Sequence, residues 1–226
     1  PTFVGPPRYR FDEPFAKPER LLDIEVGTAY TYAQGRLTVN LYWMEFTDEL
    51  IKSGKIDVFG SSILLNAART RHFGVEIDGR FEPFRSLDVS GNTTLSSNRI
   101  IQHSFFDTRD SLSRVLENNP IAGFPDALAN GRVRYTLDGG SFSLLVKYVG
   151  SFNTDNLNDP KNKVDAFTVA DIDVSWNFPG IVSRGNMELS LKIRNVLNKL
   201  YLAGGEGIAF FPAAERNYLF GVTVQL

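Results

Sequence analysis

Polar and apolar residues alternate strictly along nine stretches of this chain, and the segments joining them run short, long, short, long. In the last stretch, Arg216 to Leu226, one phase holds Tyr218, Phe220, Val222, Val224 and Leu226. Asn217, Gly221, Thr223 and Gln225 mostly fall in the other. A period of two is the side-chain period of a β-strand. Long strands joined alternately by tight turns and long loops suit a membrane β-barrel with one plain rim and one elaborated rim.

The pattern predicts a first strand over about Arg20 to Tyr32, an Ala33-Gln34-Gly35 turn, and a second strand over about Arg36 to Ile51. A loop of roughly a dozen residues then leads to a third strand, about Leu64 to Phe81, a length of loop typical of an elaborated rim. Glu82-Pro83-Phe84-Arg85 reads as a tight turn into the fourth strand, and the longest connection runs from about Gln102 to Gly123. The fifth and sixth strands flank Asp138-Gly139-Gly140-Ser141, where two glycines are expected to supply the positive φ angles of a primed turn. The seventh ends at a Pro179-Gly180 turn. The eighth slips after Arg194, which predicts a bulge near Asn195.

The predicted strands, roughly 12 to 16 residues long, exceed the ~5–6 usual in soluble sheets. Their apolar faces are almost free of charge; Glu45, Arg71 and Arg216 are the exceptions, all toward the long-loop ends. Aromatic residues (Tyr30, Tyr32, Phe81, Phe84, Tyr135, Phe142, Trp176, Phe178) gather toward the short turns, as at a membrane interface. A mean hydropathy of -0.15 fits strands that meet lipid with every second residue, and no apolar run is long enough for a membrane-spanning helix. A net charge of -2 shows no basic excess, which argues against a nucleic-acid partner. With no cysteine there is neither a disulfide nor a thiolate metal site. The opening Pro1-Thr-Phe-Val-Gly-Pro-Pro7 is no signal peptide, so the sequence is expected to be a mature form or an excised piece.

Several segments are familiar together. Ile193-Arg-Asn-Val-Leu-Asn-Lys-Leu-Tyr201, a glycine-rich loop, and Phe210-Phe-Pro-Ala-Ala-Glu-Arg-Asn-Tyr-Leu-Phe-Gly-Val222 resemble the closing segments of TonB-dependent outer-membrane receptors. Lys17-Pro-Glu-Arg20 before Glu25-Val-Gly27, Asn66 to Glu76, and Pro120-Ile-Ala-Gly-Phe-Pro125 are similar to further pieces of that family. Leu226 departs from it, standing where an aromatic residue usually ends the chain. The resemblance covers nearly all of residues 1–226. It implies an all-β fold: an antiparallel transmembrane β-barrel in part, about nine strands of a probable 22-stranded barrel, its C-terminal portion, with the plug domain absent. It further implies a receptor in the outer membrane of a Gram-negative bacterium, not an enzyme, importing a scarce nutrient such as a ferric siderophore or cobalamin. The partners it implies are outer-membrane lipid, the nutrient (possibly a metal chelate), and the TonB energy-transducing system through the missing plug.

Candidate ligand contacts lie in the longest loop: His103, Phe105, Phe106, Asp107 and Arg109. The polar phase of the strands supplies a candidate lumen wall: Glu76, Asp78, Arg132, Arg134, Lys147, Asp171, Asp173, Lys192 and Arg194, with Asp23 and Glu25 on the first strand. Asp171 and Asp173 read as a charge ladder against neighbouring Arg and Lys rather than as an acid–base pair. His72, beside Glu76, reads as a solvated lumen histidine. Asp155-Asn-Leu-Asn-Asp159 only loosely resembles a calcium loop, and no metal site, cofactor or catalytic residue is expected. The alternatives are a small self-contained outer-membrane barrel (structural protein, adhesin or hydrolase) and a soluble two-sheet protein with one wet face.

Overall fold

The structure, a computed structural model, describes residues 16–107, 112–182 and 185–225, with the side chains of all but 106, 107, 181 and 182. Nine long strands form one antiparallel sheet in chain order: β1 (Arg20–Tyr32), β2 (Gly35–Ile56), β3 (Ser62–Phe84), β4 (Leu87–Asp107), β5 (Ala127–Leu137), β6 (Gly140–Val149), β7 (Phe167–Val182), β8 (Gly185–Arg194) and β9 (Asn217–Gln225). Each pairs with its neighbours in sequence. Among the described residues β1 bonds only to β2 and β9 only to β8, so the wall is open at both edges.

Register fixes the two faces, because directly paired residues point the same way. One apolar row crosses β1 to β5 as Val26, Leu41, Val75, Leu95 and Ala127. A row nearer the short turns crosses β4 to β9 as Val89, Val133, Leu144, Ile172, Ile193 and Tyr218. Among the described residues no layer covers this face: Val26 is 67% exposed and Phe220 is 77% exposed. A soluble protein does not leave so much contiguous apolar surface in water. Phe73 to Phe81 on β3 spans about 26 Å along the strand, or about 20 Å once tilted as barrel strands are. Aromatics mark both limits of that band: Tyr30, Tyr32 and Phe81 form a stack at the short-turn side (5.8 and 6.3 Å), and Trp43 lies on Phe73 at 5.5 Å at the other.

The buried core lies under the long loops. Ile51, Ala67, Ile100, Leu116 and Ile121 form one cluster, and Val149, Val164 and Phe167 another.

Several connections differ from the sequence expectation. The dozen-residue loop after the second strand is largely strand, because β2 runs on to Ile56 and β3 begins at Ser62. The longest connection is folded too: β4 continues to Asp107, and Leu112–Leu116 pairs back on it. In the hairpin after β5 only Gly139 has positive φ (85°); Gly140 is already in strand, where an added Cβ would sit 2.4 Å from Trp176. Its role is close approach rather than turning. Pro179-Gly180 sits at a register shift inside the β7–β8 pair, which resumes at Val182 and Gly185. Near Asn195 there is no bulge. β8 ends at Arg194 and Asn195 takes a left-handed φ of 51°. Arg216 precedes β9 rather than lying on its apolar face; its backbone N–H donates to Asn198.

Candidate functional site

The register places Glu76, Asp78, Arg132, Arg134, Lys147, Asp171, Asp173, Lys192 and Arg194 all on the face opposite the apolar one. Two charge clusters stand out. Arg80 Nε donates to Asp88 at 2.6 Å and its Nη2 reaches Glu82 at 2.6 Å, while Arg132 meets the other Asp88 oxygen at 3.4 Å. Across β7 and β8 Arg194 bridges Asp173 (2.7 Å) and Asp171 (3.5 Å), and the Asn195 N–H donates to Asp171 at 2.8 Å. These carboxylates serve as acceptors for fixed cations, and Asp88 also accepts from the Ser90 hydroxyl at 3.5 Å. Asp78, Arg132, Lys147, Asp171 and Arg194 border one open cavity of about 610 Å³ on this face. Glu76 and Asp78 border a smaller one, whereas Arg134, Asp173 and Lys192 share the face without lining either.

His72 departs from expectation. It is buried, with Nδ1 2.8 Å from Asn98 Oδ1 and Nε2 3.1 Å from both Glu49 oxygens, between the rings of Phe46 and Phe124. Thr70 donates its hydroxyl to the same carboxylate. Glu49 follows Asp48, whose left-handed φ of 57° interrupts the strand alternation and lets Glu49 reach these side chains. A buried polar group needs partners, and here each has them.

Above the wall, the long connections are tied into one canopy. Glu206 is the buried knot: it accepts from the Gly54 N–H (3.1 Å) and the Ser62 hydroxyl (3.0 Å), and Lys52 Nζ lies 3.3 Å away. Asn156 joins three segments, accepting from the Ala122 N–H at 2.8 Å, donating to the Lys52 carbonyl at 2.6 Å, and taking the Asn119 amide on its own carbonyl at 3.0 Å. Thr154 and Gly207 exchange two bonds (2.6 and 2.7 Å). Only glycine fits at 207, since its φ is 57° and a Cβ would lie 2.2 Å from the Gly54 carbonyl. Asp155 accepts from the Leu157 N–H and the Asn162 amide within its own loop.

The canopy encloses a cavity of about 670 Å³ bounded by Ile56, Leu65, His103, Phe105, Leu116 and Leu157, with Asp155 and Glu206 at its edge. Pockets of about 300–1,000 Å³ suit small ligands. Of the five expected loop contacts, His103 and Phe105 line this cavity, their rings stacked 5.8 Å apart and nearly parallel. His103 Nε2 is buried and has no hydrogen-bond partner among the described residues. This part of β4 stands beyond the apolar band, and burial holds the imidazole below the usual histidine range. Phe106 and Asp107 pair through their backbones with Ser113 and Leu112, their side chains lying outside those described; Arg109 lies outside the described residues. Glu49, Asn98, Asn156 and Glu206 were not legible as site residues, since each carries a common surface side chain with no motif around it.

A family model described as TonB dependent receptor-like, beta-barrel matches residues 3–196. The chain belongs to this family. Its members are transporters rather than enzymes and are outer-membrane proteins of Gram-negative bacteria that work with the TonB system. Among solved structures, the siderophore receptor PiuA from Acinetobacter baumannii superposes at a TM-score of 0.71 and 15% identity, covering 92% of this chain and 28% of that one. The ferric-catecholate import receptor Fiu from K12 E. coli, in its closed form, gives 0.66 and 18%, covering 96% and 29%. The ferric yersiniabactin uptake receptor FyuA from Yersinia pestis gives 0.67 and 19%, covering 91% and 29%. The chain thus spans less than a third of the length of these receptors, and identities so low speak for a shared barrel fold alone. No curated protein sequence matches.

Proposed function

We propose that the chain is a stretch of the barrel wall, with its loop canopy, of an outer-membrane receptor for TonB-dependent uptake of a scarce nutrient, a ferric siderophore above all. In this reading the apolar face meets lipid, the polar face lines the lumen or meets a plug, and the canopy receives the ligand. The observation that carries it is the cavity beneath the tied loops: mostly apolar, aromatic on one side, and supplied with one unpartnered imidazole nitrogen. Stacked flat rings suit a ligand with planar, aromatic chelating groups, and a buried hydrogen-bonding nitrogen gives it a direction. Among the described residues both edge strands pair on one side alone, which supports a wall larger than nine strands.

The test is binding of a ferric catecholate chelate to the intact protein in detergent, followed by isothermal titration. His103→Ala with Phe105→Ala should weaken binding about tenfold or more, since a buried stacking ring and a polar contact together contribute about 1.5–3 kcal/mol. Unchanged affinity in that double variant would remove the canopy cavity from the uptake path. Point variants serve better than deletion of the connection, because Leu116 and Ile121 within it are part of the buried core.

A further inference from the structure

Just beyond the apolar band, the outward face of β1 to β4 changes character. In register, one row reads Leu22, Glu45, Arg71, Arg99 and the next reads Arg20, Thr47, Arg69, Gln102. Arg71 and Arg99 are direct cross-strand partners, and like charges so placed destabilise a sheet unless an anion sits between them. The protein supplies only part of that anion. Glu45 is shared, one oxygen bound by Arg71 and the other 3.3 Å from Arg69, and Asp126 reaches Arg99 at 3.5 Å.

The guanidiniums are held in place rather than waving free. The Arg71 fork lies 4.5 Å over the Trp43 ring, which is itself stacked on Phe73, and Arg99 Nε donates to Ser97 at 3.3 Å. Among the described residues, the terminal nitrogens of Arg69 and Arg71 have no acceptor, and Arg69 is more than half exposed.

We propose that this cluster binds the phosphate of an outer-leaflet lipid headgroup, across Arg69, Arg71 and Arg99, with the acyl chains lying along Leu22, Ile24, Trp43 and Phe73. Forked guanidiniums match a phosphate's geometry, and the headgroup layer begins where an apolar band ends. The inference rests on the reading that this face meets lipid.

The experiment places the intact protein in phosphatidylcholine nanodiscs doped with either diphosphoryl lipid A or the same lipid stripped of phosphate, and counts retained lipid by native mass spectrometry. Phosphorylated lipid should be retained preferentially. Arg69→Gln and Arg99→Gln should each lower retention about fivefold, the effect of one cation at an anionic surface, and Arg132→Gln on the opposite face should not. Equal retention of both lipids, or no loss in the Arg69→Gln/Arg99→Gln double variant, overturns the proposal while leaving the membrane reading intact. Displacement of the lipid by inorganic phosphate would mark a simple anion site and also overturn it. A protein that refuses to enter nanodiscs sinks both.

Discussion

Neutralising Glu206 tests whether the long connections form one unit. Its carboxylate is 1% exposed and meets Gly54 N–H, Ser62 Oγ and Lys52 Nζ at 3.0 to 3.3 Å, tying β2 and β3 to the loop before β9. Hydrogen bonds to a charged group contribute about 1.5–3 kcal/mol and neutral ones about 0.5–1.5, so Glu206→Gln should cost about 1 kcal/mol at each buried contact. Lys52 is 43% exposed, so its share is discounted for solvent screening. The sum is about 2–3 kcal/mol, and at about 1.4 kcal/mol per decade it corresponds to opening about 30- to 150-fold more often. The assay is amide hydrogen exchange of the intact protein in micelles, read on peptides covering 52–62 and 202–209. Peptides from β1, remote from the knot, should keep their rates. If the loop peptides exchange within about threefold of the unmodified protein, the canopy is not held by this carboxylate and the reasoning fails.

Other perturbations probe other parts of the molecule. Gly140→Ala forces a Cβ within 2.4 Å of Trp176 and 2.7 Å of the Ser175 carbonyl, so urea unfolding should show a loss of about 1–3 kcal/mol; a neutral result would mean Trp176 moves aside. Asn195→Ala removes bonds to Lys199 (2.8 and 2.9 Å) and Ala214 (3.2 Å) and strains a left-handed position, whereas Asn195→Gly only removes the bonds. The alanine variant should therefore be cleaved faster by protease in the 195–216 loop, with about 1–2 kcal/mol separating the two; equal susceptibility would refute the strain. Because the folded His103 imidazole resists protonation, the unfolded loop binds more protons at low pH. Canopy protection should fall as pH drops below about 6.5 and level off once the folded imidazole is also charged, and His103→Gln should abolish that dependence.

Period-two alternation located all nine long strands, and β1 was placed to the residue, because the apolar and polar phases differ so sharply between Leu22 and Tyr32. The same signal vanished beyond the band. Lys52 to Ile56 and Gln102 to Asp107 are strand, yet beyond the band they pack against the folded connections, where Ile56, His103 and Phe105 border one cavity, so the contrast between a dry and a wet phase was lost. His72 looked solvated because it falls in the polar phase of its strand, beside Glu76. Its burial comes from Glu49 and Asn98 on other strands, brought over it by Asp48's left-handed turn and by register. His103 and Phe105 were legible as loop residues of unusual type; that they close a cavity with Leu65 and Leu157 depended on contacts between distant loops. Phase alone put Asp171 and Asp173 on one face with arginines and lysines of the fifth and eighth strands; that the bridge runs to Arg194 on the eighth was set by register.

Pairing only between neighbours in sequence lets each hairpin add to the last without a distant search. Such stepwise growth tolerates a slipped strand, since a shift of two residues keeps every side chain on its proper face. The Gly54–Glu206 bond does not tolerate it. A two-residue slip in any intervening strand would carry the two ends about 6–7 Å apart, beyond hydrogen-bonding reach. The knot over the rim thereby acts as a gauge, closing only when every strand between its ends has stopped at the correct notch.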